Sequence, residues 1–375
     1  MKKLFTLIML LFTTKIFATP QYTIVIDAGD TNSRLHLFQY DSSTNIPTIK
    51  EIFSEKSEKP LADFATQPNY AGESLKKLLN DSKEKLISLH IDSQSVPISV
   101  LGTEKMRTLN TDTQQLIYTN VSDYIKNNYT YTPRQIQSIS GKTQGVYAWI
   151  DANYLAENFQ PETTTHAILN IEQFSTEIAY ATHSSHPSED ETQFTIGNLH
   201  YTIFSKSFST LGEESSRLEA DKFQTAQTCY PIDYPFSPTT KGNFNISSCK
   251  NNYANVIAKF NLISELPPFK EQKFLLFSNT YRIYDFLGAA DPDQYVFEAR
   301  LYYACGLSWE AMKNEYDFFS ESELSSICAN SIFIDQLIYA ELKLHGEQLW
   351  VTDKINRQEI DWPMGEVLYS LSSFR

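Results

Sequence analysis

The chain has 375 residues, 41% of them hydrophobic, and a formal net charge of −14. That is more chain than one core usually holds, so two domains are expected. So acidic a balance repels nucleic acid and anionic lipid at long range, and neither is an expected partner; a small polyanion held by a local cluster is not excluded.

Lys2 and Lys3 precede an apolar run over 4–12, and Ala18 offers a small residue before Thr19-Pro20. The run is shorter than the roughly 20 residues a membrane-spanning helix needs, so 1–18 reads as a cleavable secretory signal. Its removal takes Lys2, Lys3 and Lys15 away and moves the charge from −14 to −17. The expectation is a secreted or periplasmic protein with no membrane segment after cleavage.

Tyr22-Thr23-Ile24-Val25-Ile26 is a β-branched strand run that stops at Asp27-Ala28-Gly29-Asp30-Thr31-Asn32-Ser33-Arg34, and 35–40 alternates as a second strand. The periodicity predicts helices over 72–89, 116–125, 145–159 and 210–223, with a strand over 96–101. A second strand–turn–strand unit follows at 166–181, around Asn170-Ile171-Glu172-Gln173-Phe174-Ser175-Thr176-Glu177. Two such hairpins suggest a duplicated, two-lobed body with a cleft between the lobes. The segment 228–249, with three prolines and two cysteines, reads as a loop excursion. His183 and His186 lie in a Ser/Pro/Asp stretch that reads as solvated loop.

Cys229, Cys249, Cys305 and Cys328 are an even set in an exported chain, which favours disulfides. Four cysteines allow three connectivities; pairing of neighbours, Cys229 with Cys249 and Cys305 with Cys328, is expected. Zinc is the rival reading, but no Cys-x-x-Cys spacing supports it.

A tight turn between strands exposes successive N–H groups that can hold phosphate oxygens, and a carboxylate at its mouth can hold a divalent metal through water. Asp27 and the loop to Arg34 fit that description, although such a turn alone is more often a plain hairpin. Asp27, Thr31 and Ser175 can equally cap turns, and Arg34 and Arg107 can equally form surface ion pairs. Met106, Trp149 and Tyr154 read as packing residues.

The order of the motifs resembles the apyrase (ecto-nucleoside triphosphate diphosphohydrolase) family. The segment 27–34 resembles that family's first conserved region, usually Asp-Ala-Gly-Ser-Thr-Gly-Ser/Thr-Arg. Gly102-Thr103-Glu104-Lys105-Met106-Arg107 resembles the second, usually Ala-Thr-Ala-Gly-Met-Arg, and 140–149 with Asn153-Tyr154-Leu155 resembles the third. The segment 170–178 stands at the fourth, usually Asp-Leu-Gly-Gly-Ala-Ser-Thr-Gln-Ile. Ser207-Phe208 with Leu211-Gly212 stands at the fifth, and the cysteine pairs and Asp361-Trp362-Pro363-Met364-Gly365 also have counterparts.

The resemblance implies an α/β fold of two actin-like (RNase H-like) lobes, each with a mixed, five-stranded-type sheet flanked by helices. The lobes would be 19–160, with 360–375 returning to the first, and 161–359. It implies metal-dependent attack of water on the terminal phosphate of nucleoside tri- and diphosphates, with Mg²⁺, Mn²⁺ or Ca²⁺. Asp27 and Asn170 would stand at the metal's water ligands. Asp30, Thr31, Asn32, Ser33, Arg34, Thr103, Arg107, Glu172, Gln173 and Phe174 would surround phosphate. Gln144 occupies the position of the base, and Ser175 would hold the attacking water. In that family aromatic side chains of the second lobe sandwich the nucleobase; Phe333, Tyr339 and Tyr281 are the candidates.

Several positions depart from the pattern. Gln144 replaces the glutamate, and an amide cannot take the proton; such help is typically worth about 10²–10⁴-fold. Asn170 replaces an aspartate, and Glu172 and Gln173 replace paired glycines, which obstructs close approach of phosphate. Asp30 replaces serine and would point a carboxylate at the phosphates, and Asn32 replaces glycine where left-handed backbone is tolerated. Activity that is weak or lost is therefore expected. The alternatives are an inactive nucleotide-binding relative and a secreted scaffold for a protein partner. A monomer is expected.

Overall fold

The computed structural model describes residues 20–184, 187–289 and 291–373; the expected signal at 1–18 and His186 lie outside the described residues. The first sheet is built from β1 (Gln21–Ala28), β2 (Ser33–Asp41), β3 (Thr48–Lys56), β4 (Pro97–Gly102) and β5 (Thr132–Ser138), in the order β3-β2-β1-β4-β5. β1 runs antiparallel to β2 and parallel to β4. Ile24, Val25 and Ile26 are inaccessible, as a strand covered on both faces requires.

The second sheet repeats this plan. β6 (Ala167–Ile171), β7 (Ser175–Thr182), β8 (Glu191–Ile196), β9 (Leu199–Ser209), β10 (Phe274–Leu276) and β11 (Leu349–Val351) lie in the order β11-β10-β6-β7-β9-β8. β6 pairs antiparallel with β7 and parallel with β10, as β1 does with β2 and β4. β8 is an added edge strand, joined to β9 by a turn at Gly197-Asn198. Gly197 has φ +58°, the left-handed geometry that hairpin turns of this length demand.

The expected helices form with shifted ends. The segment 72–89 divides at Leu75 into a short turn, Ala71–Ser74, and the helix Lys76–Ser88. The third motif opens the helix Gly141–Leu155, capped by Ser140, whose Oγ accepts from the Thr143 N–H at 3.0 Å. The helix expected over 210–223 is only Glu213–Ala220, because Gly212 before it is extended (φ −109°, ψ 178°).

The Gly141–Leu155 helix joins the lobes. It packs on β6, β7 and β9 of the second sheet and, on its other side, on the closing helix Pro363–Ser373, which also touches β1 and β3. The core around it draws on both halves, with Val25 and Phe38 from the first sheet and Ile168, Ala179 and Leu275 from the second. A separate core fills the outer side of each lobe. Trp149 and Met106 are fully buried, as packing residues should be. The Tyr154 hydroxyl ties the Gly141–Leu155 helix to the first sheet by accepting from Ile49 N–H (2.9 Å) and donating to the Pro47 carbonyl (3.1 Å).

Both neighbour disulfides form, Cys229–Cys249 and Cys305–Cys328, closing loops of 20 and 23 residues in the second lobe. By loop-closure entropy each should be worth about 3 kcal/mol. Replacing Cys305 and Cys328 together by serine should lower the unfolding free energy by that amount in a denaturant titration. An unchanged midpoint would show that the bond constrains nothing.

Candidate active site between the lobes

The parallel strands β1, β4, β6, β10 and β11 all aim their carboxyl ends at one cleft, as open α/β sheets do where they bind ligands. Asp27 lies near the end of β1, Thr103 just after β4, Glu172 after β6, Ser278 after β10 and Asp353 after β11. The cleft has a volume of about 590 Å³. Of the residues expected at the site it brings together Asp27, Asp30, Thr31, Asn32, Arg34, Thr103, Gln144, Glu172 and Gln173.

The other expected residues do not line this cleft. Ser33, Asn170 and Ser175 are buried. Phe174 faces a different hollow, beside Thr210 and Leu218. Arg107 is held by Glu104, through Nε at 2.8 Å and Nη2 at 2.7 Å, and Nη1 donates to the Ile139 carbonyl at 2.9 Å. Arg34 is likewise engaged, with Nη1 2.6 Å from Glu359 and Nε donating to Ser54 Oγ at 2.8 Å.

The substituted loops keep their tight turns. Asn32 has no left-handed backbone, and neither do Glu172, Gln173 and Phe174, so the lost glycines are not needed for conformation. The Asp30 carboxylate does not point freely at the phosphate space: it accepts from the Lys105 N–H at 2.9 Å and ties the first loop to the second motif. The second loop is clamped from behind. The Glu172 and Gln173 carbonyls accept from Glu213 N–H (2.9 Å) and Glu214 N–H (2.8 Å), at the start of the Glu213–Ala220 helix. Gly212 permits this approach; a Cβ there would meet the Phe174 nitrogen at 2.4 Å.

Acid dominates the cleft. Seven carboxylates line it (Asp27, Asp30, Glu172, Asp285, Asp353, Glu359, Asp361) against three cations (Arg34, Lys56, Arg282). Burial, reinforced by Asp361, Glu172 and Asp30, holds the Asp27 carboxyl well above its usual range, opposed by a hydrogen bond from the Trp362 side chain. Glu172 is pushed up to about 8 by burial and by Asp30 and Glu177, although the Asn170 amide donates to it at 2.7 Å. Asp27 Oδ1 and Asn170 Oδ1 are buried and without partners. An oxygen-only set of this charge suits a hard divalent cation. Among the described residues no three acidic or histidine side chains converge closely enough to ligate one ion directly, so a cation here would be held through its own waters.

The aromatic expectations are corrected in part. Tyr281 lines the cleft, but Phe333 is fully buried in the second-lobe core. Tyr339 is buried as well, donating to the Pro292 carbonyl at 2.8 Å and sharing a hydrogen bond with the Tyr284 hydroxyl. Helical spacing put these two in the core, where apolar residues on a covered helix face belong. The cleft takes its other aromatic surface from Phe318 and Phe319, with Arg282 over the Phe319 ring at 5.8 Å, and from Trp362.

Sequence reasoning also passed over Glu177. This residue is fully buried on β7, paired in register with Asn170 and Ser207. Its Oε1 accepts from Ser175 Oγ at 2.7 Å and Ser207 Oγ at 2.9 Å. The available signal was a carboxylate at a position where the fourth pattern has an amide.

Comparison with known proteins agrees with this geometry. The pea (Pisum sativum) protein "Nucleoside-triphosphatase" is 24% identical over 97% of this chain and 92% of its own. "Probable apyrase 4" of Arabidopsis thaliana is 21% identical over 94% of this chain and 80% of its own. "Guanosine-diphosphatase" of Schizosaccharomyces pombe is 29% identical over a shorter stretch, 43% of this chain and 29% of its own. A nucleoside triphosphate hydrolase structure from Neospora caninum superposes with a TM-score of 0.69 at 11% identity, covering 95% of this chain and 93% of that one. A Ppx/GppA family member from Aquifex aeolicus gives 0.57 at 12% identity, covering 95% and 99%. These structural likenesses establish the fold, two actin-like lobes. The GDA1/CD39 (nucleoside phosphatase) family model matches residues 17–230 and 239–375, and with motifs, fold and cleft in agreement, the chain belongs to that family.

Proposed function

We propose that the protein hydrolyses the terminal phosphate of nucleoside tri- and diphosphates with the help of a divalent cation. The observation that carries this reading is the cleft itself: Asp27, with a buried and unpartnered Oδ1, faces the Glu172–Gln173 turn across a polar space. Seven carboxylates against three cations cannot hold a nucleotide's phosphates unaided, so a cation must enter with them or before them.

Asp27 and the Asn170 carbonyl would orient that cation's waters, and when bound the cation neutralises charge developing on the transferred phosphoryl group. The chain's own share is positioning. Thr31, Asn32 and Gln173 shape the phosphate space, Thr103 and Asp30 lock the first loop to the second motif, and Tyr281, Phe318 and Phe319 offer flat surface for a base.

A second reading, nucleotide binding without turnover, has one observation in its favour: Gln144 stands where a base is needed, and Arg107 is neutralised by Glu104. Phosphate release from ATP, GTP and ADP, each with Mg²⁺, Mn²⁺ and Ca²⁺, separates the two. Release that is abolished by chelation and by Asp27→Ala is the expected result. Nucleotide binding with no release for any pair would establish the second reading.

We also read the chain as exported, on the strength of the leader at 1–18 and two disulfides. Among the described residues no helix is long and apolar enough to cross a membrane. Mass spectrometry of the protein made in its own cell should find an N-terminus beginning at Thr19; an intact Met1 would refute export by this route.

A further inference from the structure

The hydrolytic reading leaves the attacking water without a proton acceptor at Gln144, and the surroundings of Gln144 supply one. Its amide oxygen accepts from Arg107 Nη1 at 3.3 Å, and on the other side of that guanidinium Nη2 lies 4.0 Å from Glu177 Oε1. Gly145, the next residue along, lets the Gly141–Leu155 helix close onto β7: a Cβ there would sit 3.5 Å from the Glu177 Cβ. An amide from one motif and a carboxylate from the next are thereby held side by side beneath the cleft.

Nothing structural requires a carboxylate at 177. Its two hydroxyl donors, Ser175 and Ser207, would be satisfied equally by a glutamine carbonyl oxygen. The nearest cation is already paired with Glu104, and Glu177 Oε2 is buried with no partner at all. Burying such a charge costs several kcal/mol when its pairing is incomplete. Glu104, the other buried acid nearby, is spent on Arg107 and on the Ser209 hydroxyl. Glu172 faces the Asp27 side of the cleft, bound to the Asn170 amide.

We propose that Glu177 holds the proton-accepting role absent from Gln144, acting through the Ser175 hydroxyl that donates to it. The water enters past Gln144, which lines the cleft, to reach the Ser175 hydroxyl buried behind it; as the water oxygen bonds to the terminal phosphorus and the bridging P–O bond breaks, the water's proton passes to Ser175 Oγ. Ser175's own proton passes to Glu177 Oε1, and the bond electrons leave with the departing nucleotide. Gln144 keeps an orienting role, its amide fixing the water and the Arg107 head. Glu177 is thus a positioning residue that touches the reaction only through Ser175.

The test is steady-state phosphate release by the wild type, Glu177→Gln, Glu172→Gln and the exchanged double variant Gln144→Glu/Glu177→Gln, with thermal melts as the folding control. Glu177→Gln should lower kcat by about 10²–10⁴-fold with KM little changed. The double variant, which returns a carboxylate to position 144, should recover to within about tenfold of the wild type. A folded Glu177→Gln protein that keeps most of its kcat overturns the inference and leaves the hydrolytic reading standing. So does a large loss confined to Glu172→Gln, or a double variant no better than the single. A wild type that releases no phosphate overturns both.

Discussion

Gly365→Ala should destabilise the protein by more than about 3 kcal/mol, above the ordinary range for one added methyl group. Gly365 lies in the first turn of the closing helix Pro363–Ser373, against the Gly141–Leu155 helix. A Cβ at this position would stand 1.9 Å from the Tyr147 carbonyl oxygen and 2.6 Å from its carbon. Both are backbone atoms in the middle of a buried helix, so neither can swing aside. The closing helix would have to move outward, separating Trp362 from Tyr147 (ring centroids 6.4 Å apart) and shifting Asp361 at the cleft. A denaturant titration should show the lower midpoint, and phosphate release should fall with it. Wild-type stability in Gly365→Ala would mean that the two helices do not pack this closely.

The second large effect is on stability against pH. Glu213 is buried at the start of its helix, with only the Asn330 amide donating to it at 3.2 Å and its Oε1 unpartnered. Burial pushes its carboxyl from an ordinary 4.5 up to about 8. A folded pKa above the unfolded one means that, between those values, the folded state keeps a proton the unfolded chain has released. Stability therefore falls as pH rises from about 4.5 to about 8 and is level beyond, by at most roughly 5 kcal/mol from this group. Glu172 and Glu177, raised to about 8 and about 7, act in the same direction. Without divalent cation the melting temperature should be higher at pH 5.5 than at pH 8. Glu213→Gln should exceed the wild type by little at the lower pH and by much more at the higher. A variant less stable at pH 8 would show that Glu213 is ionised and paired in the folded state.

How far the sequence reveals this molecule can be judged residue by residue. Asp27 and the turn after it were legible because a β-branched run ending in a turn has few other readings, and the order of the motifs gave the two lobes. The β8–β9 hairpin was missed although Gly197-Asn198 marks it, because its strands carry many polar residues, β8 lying at the edge of the sheet and both being only partly covered. That Asp30 also ties the first loop to the second motif was not legible, since its partner, the Lys105 N–H, lies 75 residues away. Arg34 and Arg107 could not be assigned from sequence: Arg34 is neutralised by Glu359, which comes from a distant segment, and Arg107 by Glu104, one helical turn before it. The aromatic lining was misplaced for a related reason. Phe333 and Phe318 look alike in sequence, and only the position of the Glu321–Asp335 helix decides which one faces the cleft.

The Gly141–Leu155 helix has a consequence for how the chain comes to be folded. Twelve of its fifteen residues are buried, and both halves of the molecule are needed to bury them. Residues of the first sheet supply one wall and the helix Pro363–Ser373 supplies another, so the helix has no finished environment until segments more than 200 residues beyond it have been made. Each half has a core of its own, but the helix they share is finished only when both are in place, so the stability of one half is tied to that of the other.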